Sequence, residues 1–120
     1  MEQRKITDLI KESQKNSSIL VSYEVFPEGS LQLESINAAN KYPSFISIAW
    51  KVSNLTLSNI NMNNVFTIPA IELAHCISNI GRTVVLHLTC VEMKKNTLKY
   101  ILDHLKIYSI RNLLILQGGK

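Results

Sequence analysis

The chain has 120 residues, 46% of them hydrophobic and 18% charged, with a formal net charge of +4. That composition excludes a disordered segment, and the length suits one small domain with its own core. The basic residues (among them Arg4, Lys5, Lys11, Lys15, Lys94, Lys95, Lys99, Lys106 and Arg111) are scattered and form no arginine cluster interleaved with aromatics, so they read as a solvated surface and not as a nucleic-acid patch.

Ile6, Leu9 and Ile10 recur at helical spacing and predict a helix over about residues 4–15 with a basic outer face, part of an N-terminal helical extension spanning 1–18. Ile19-Leu20-Val21 and Val25-Phe26 predict a first strand, stopped by Pro27 and Gly29. Ser30 is placed to cap a helix over about 31–40, with Leu33 and Ile36 inward, which Pro43 breaks. Phe45 to Trp50 predicts a second strand. Residues 51–66 are rich in Asn and Ser and read as a long loop with room for a short element of its own.

Pro69 suits the first turn of the next helix, whose apolar stripe is Ile71, Ala74, Ile77 and Ile80 and which Gly81 ends. Thr83 to Thr89 predicts a third strand. Leu98, Ile101, Leu102, Leu105 and Tyr108 form the clearest helical stripe, and Asn112 to Leu116 predicts a fourth strand. Such regular alternation implies right-handed βαβ units on a parallel sheet, an α/β fold occupying 19–120. The strands are nearly continuous apolar runs, as expected of strands covered on both faces. A closed (β/α)8 barrel needs about 250 residues. Four strands therefore make either a compact four-stranded sheet or the first half of such a barrel.

Cys76 and Cys90 fit neither a C-x-x-C motif nor a disulfide framework and read as thiols in a reducing compartment; Cys90 reads as a small apolar filler. Met1 to Lys5 leads into no long apolar run, and no stretch approaches about 18 uninterrupted apolar residues, so a cytoplasmic protein without a membrane span is expected. His75 and His104 are expected on helix surfaces. No His, Cys, Asp or Glu grouping has metal-ligand spacing.

Three strands deliver polar groups at or near their C-terminal ends: Glu24 in the first, His87-Leu88-Thr89-Cys90 closing the third, and Gln117-Gly118-Gly119 after the fourth. That is how an α/β barrel builds an active site. A carboxylate inside an apolar strand is costly unless paired or used. A plain reading pairs Glu24 with a nearby lysine, makes His87 a hydrogen-bonded core residue and Trp50 core packing. The double glycine suits a phosphate cradle or only a loosened chain end.

In these segments the chain resembles the N-terminal half of the methylenetetrahydrofolate reductase barrel. That family has strand ends of the forms Glu-x-Phe-Phe-Pro-Pro, Val-Thr-Tyr or Val-Thr-Trp, His-Leu/Met-Thr-Cys, and Ala-Leu-Arg-Gly-Asp. Here, in the same order, stand Glu24-Val25-Phe26-Pro27-Glu28, Ile48-Ala49-Trp50, His87-Leu88-Thr89-Cys90 and Ile115-Leu116-Gln117-Gly118-Gly119. The resemblance spans about residues 19–119, leans toward the eukaryotic version, and implies the first four strands of an incomplete TIM-type (β/α)8 barrel.

The resemblance implies reduction of 5,10-methylenetetrahydrofolate to 5-methyltetrahydrofolate, with FAD passing hydride from NAD(P)H, in one-carbon and methionine metabolism. It casts Glu24 as the general acid that promotes opening of the folate's imidazolidine ring, a task suited to a carboxylic acid with a pKa near working pH, which burial would provide. Ala49, Trp50, His87, Gln117, Gly118 and Gly119 fall on cofactor-binding positions. Glu24, Val25, Phe26, Pro27, Glu28 and Gly29 border the nicotinamide and substrate.

Four positions depart from the pattern. Gly119 stands for an aspartate, Gln117 for an arginine, Ala49 for a threonine and Glu28 for a proline. Gln117 thereby lacks a charged, forked donor. The departures set a second reading beside the first, a truncated or diverged homologue without catalysis that acts as a binding or regulatory remnant. Exposed strand edges would let either form self-associate or accept a completing chain. A flavodoxin-like domain is a third option, disfavoured because Pro27-Glu28-Gly29-Ser30 lacks the phosphate-cradling glycine pattern.

Overall fold

The computed structural model describes residues 3–27, 44–51, 59–61, 63–90 and 93–116. Their elements are α1 (Ile6–Asn16), β1 (Ser22–Val25), β2 (Phe45–Ile48), a 3-10 turn (Val65–Thr67), α2 (Pro69–Asn79), β3 (Val84–Thr89), α3 (Lys95–Ile107) and β4 (Asn112–Leu116). The helix expected over 31–40 lies outside the described residues.

All four strands are parallel and lie in the order β1-β2-β3-β4. An order without reversal is that of a sheet wound in one direction, as in a barrel. A doubly wound sheet needs a switch point where the order reverses, so the topology sets the flavodoxin-like option aside. The fold is α/β, with helices between parallel strands, and corresponds to an incomplete barrel.

The core lies between the sheet and its helices. Ile46, Ile48, Val84, Leu86 and Leu88 point to one face and are fully buried. Against them pack Ala70, Ile71, Ala74 and Ile77 of α2, and Ile101 and Leu105 of α3. The 3-10 turn adds Val65, followed by Ile68, so the Asn-rich loop does contain a short element that contributes to the core. Pro69 opens α2 as expected, and Gly81 follows its end with φ 87, a left-handed conformation that glycine adopts without a Cβ clash.

Three expectations need correction. The first strand does not begin at Ile19, which is 82% exposed; it begins at Ser22, where pairing with Phe45 starts. The strands are not covered on both faces. Among the described residues the helices cover one face, while Leu114 and Leu116 on the other remain exposed. Apolar sequence marks a face suited to cover, but a barrel's interior face is covered by strands across the barrel. Finally, His75 and His104 are half-buried. The His75 ring stacks on Tyr108 at 3.9 Å, and His104 meets the same ring edge-on at 4.7 Å, filling the seam between α2 and α3.

The N-terminal segment seals the end of the sheet where the strands begin. Buried Gln3 accepts a hydrogen bond from Val84 N through Oε1 at 2.7 Å, and its Nε2 donates to Ser78 Oγ and the Arg82 carbonyl. Buried Asn112 mirrors it. Its Nδ2 donates to the Arg4 and Val84 carbonyls, and its Oδ1 accepts from Ile6 N. These two amides fix α1 across the starts of β3 and β4.

Candidate functional site

Parallel strands deliver all their C-terminal ends to one rim. Here that rim gathers Val25-Phe26, Ala49-Trp50, Thr89-Cys90 and Leu116. Two backbone bonds carry the pairing past the strands themselves: Ala49 N donates to Val25 O at 3.0 Å, and Cys90 N to Leu116 O at 3.2 Å.

Glu24 and His87 meet on the open face, just below this rim. Glu24 pairs in register with Ser47, and Ser47 with Val85, so Glu24, Ser47, Val85 and His87 share one face by the two-residue period of strands. The two side chains reach toward each other across β2. Strands once removed lie about 10 Å apart. Glu24 and His87 close that gap to 3.7 Å, measured from Oε1 to Nδ1. Between them β2 presents only Ser47 and Ala49, whose small side chains leave the path open. The contact is longer than a hydrogen bond, so it acts through charge when the imidazole is protonated. Glu24 is 53% exposed and His87 16% exposed at the side chain. The expected burial of Glu24 is thus not found, because the face it occupies is open, and the group beside it is a histidine where the plain reading had a lysine.

Of the other site positions, Ala49 lies on the path just described. Trp50 is half-buried and packs on the core side of the sheet. Phe26 is 48% exposed at the rim, with Lys51 Nζ 4.9 Å above its ring, a cation–π arrangement absent from the sequence reading. Val25 and Pro27 are half-buried. Cys90 packs against the core, as a small apolar filler does. Glu28, Gly29, Gln117, Gly118 and Gly119 lie outside the described residues.

Below the Glu24–His87 pair runs a groove of about 590 Å³, lined by Ser22, Ser47, Val85, His87, Asn112 and Leu114, with Lys5, Ile6 and Thr7 beside α1 at its closed end. Its polar lining is the Ser22 and Ser47 hydroxyls, the Asn112 amide, the His87 imidazole and the Arg111 guanidinium, and Val85 and Leu114 make it apolar elsewhere. Exposed Phe26 and Leu116 at the rim add flat apolar surface. Such a face suits a planar aromatic group with polar edges. Among the described residues no three His, Cys, Asp or Glu side chains are grouped to hold a metal ion. No helix among them is long and apolar enough to cross a membrane.

The family model for methylenetetrahydrofolate reductase matches residues 6–120. No curated protein matches the chain. With the family model covering nearly the whole sequence, the chain belongs to the methylenetetrahydrofolate reductase family, a family of barrel-type oxidoreductases whose first four strands correspond to the sheet described above.

Proposed function

We propose that this chain serves the reductase reaction of its family, conversion of 5,10-methylenetetrahydrofolate to 5-methyltetrahydrofolate with FAD and NAD(P)H. The observation that carries this reading is the approach of Glu24 and His87 to 3.7 Å on the open face of the sheet. Two of the family's polar strand ends, far apart in sequence, thereby meet beside one groove.

In this reading Glu24 holds the proton at its carboxyl group and gives it to the folate nitrogen whose release opens the five-membered ring. His87 borders the carboxylate and lines the groove, so it orients both the acid and the bound ring system. Ala49, by its size, leaves space above β2. Phe26 and Leu116 exclude water from the rim. Ala49, His87 and the Gln117-Gly118-Gly119 segment would hold FAD, which when bound would accept and return a hydride, while Trp50, on the core side, would support the strand from behind.

Glu24→Gln is expected to lower folate reduction by about 10²–10⁴-fold, the usual contribution of a general acid, with flavin reduction by NADPH retained. The direct test loads the purified chain with FAD, removes the excess and records the flavin spectrum before and after anaerobic NADPH or NADH. Retained flavin that bleaches supports the reading. No retained flavin favours the non-catalytic homologue, to which the Gly119 and Gln117 replacements and the exposed Glu24 carboxylate already point.

A further inference from the structure

Ser47 interrupts an apolar strand, Phe45-Ile46-Ser47-Ile48. It faces the open side of the sheet, where it lines the groove and is half-buried. Among the described residues no side chain or backbone group hydrogen-bonds its hydroxyl. A half-buried hydroxyl without a protein partner adds nothing to the strand that carries it. Among the described residues of β2 it is also the one hydrogen-bonding side chain on that face.

Its place is set by the register. Ser47 is the partner of Glu24 on the neighbouring strand, and the two share one face. A group that takes a proton from Glu24 must bring an atom within about 2.6–3.2 Å of the carboxyl. His87 belongs both to the contact with Glu24 and to the lining of the groove. A ring system that reaches Glu24 from the groove therefore lies across β2, over Ser47.

We infer, on the basis of the proposed reaction, that Ser47 is a substrate-binding residue whose hydroxyl hydrogen-bonds the polar edge of the folate's fused ring while Glu24 reaches the nitrogen to be released. Strands in a sheet lie about 4.8 Å apart, so these are two separate anchors on one ring system. Two anchors stop the ring from turning in its plane, which one cannot do, and the proton transfer needs that fixed orientation. A hydroxyl both donates and accepts, so it serves ring nitrogens of either kind.

Isothermal titration of the purified 120-residue chain with 5-methyltetrahydrofolate tests it. Ser47→Ala should weaken binding by roughly tenfold, the loss of one hydrogen bond, without lowering the urea midpoint. Ser47→Thr keeps the hydroxyl and should restore most of the affinity. FAD retention should be the same in all three chains. Should Ser47→Ala fail to fold, Ser47→Cys, of similar size and only a weak donor, takes its place. Equal folate affinity in the native chain and Ser47→Ala overturns this inference alone and leaves the proposed reaction standing. Equal losses in Ser47→Ala and Ser47→Thr overturn it too, because shape and not the hydroxyl would then be read. So does a joint loss of FAD and folate, the mark of a general disturbance. A native chain that binds neither FAD nor the folate removes the proposed reaction, and this inference with it.

Discussion

Gln3 and Asn112 use short amide side chains to satisfy backbone groups that no strand or helix partner reaches. Gln3 serves Val84 N, Ser78 Oγ and the Arg82 carbonyl at once, and is almost fully buried. Replacing it by leucine preserves bulk but leaves the Val84 amide without its acceptor in an apolar setting. The cost of such an unsatisfied group is about 1–3 kcal/mol. Gln3→Leu should therefore lower the urea midpoint with little change in slope, and Asn112→Leu should act similarly by freeing Ile6 N and two carbonyls. Neither role was legible in the sequence. Gln3 stands in a polar N-terminal stretch, and its partner Ser78 lies 75 positions away. The meeting of Glu24 with His87 was half legible. Motif order placed both at strand ends, but the gap above Ser47 and Ala49 emerges only when the register is known.

Helices and strands were the most readable level, because their signals are local. Ile71, Ala74 and Ile77, and the stripe of Leu98, Ile101, Leu102, Leu105 and Tyr108, match the faces of α2 and α3 that pack on the core, whereas Ile80, expected in the first stripe, follows the end of α2 and is exposed. Their ends obey less visible chemistry. The chain leaves α3 through Ser109 at φ 59, a left-handed conformation in which a Cβ is disfavoured. Ser109→Gly should raise stability by about 0.5–1 kcal/mol, a gain readable as a higher thermal midpoint. The seam between α2 and α3 carries a second expectation. Burial, and then the charge of nearby His75, hold the His104 pKa below its ordinary value of 6.5. The unfolded chain then binds a proton at about pH 6.5 that the folded chain resists. Stability is full above that pH, falls as the pH drops through the window below it, and stops falling once the folded form is protonated too. Denaturation at pH 7.5 and 5.5 should show a larger acid loss in the native sequence than in His104→Gln. Equal losses would refute this role for the seam.

At the scale of the whole molecule, burial is concentrated in the middle of the sheet. On the helix side of β2 and β3, Ile46, Ile48, Val84, Leu86 and Leu88 are inaccessible to solvent, whereas β1 is exposed along most of its length and so is the second half of β4. Continuous apolar strands implied cover on both faces, and this is where the sequence was least able to speak. Alternation and run length report how apolar a face is, not which chain covers it. Backbone amides that open only with the whole fold exchange slowest, while those at unpaired edges exchange through local fluctuations. Amides of β2 and β3 should thus be the most protected, and those of β1 and of the second half of β4 should exchange orders of magnitude faster. Hydrogen exchange on the native chain checks this order, and equal protection along all four strands would refute it, because it would mean that the outer strands open only with the whole fold.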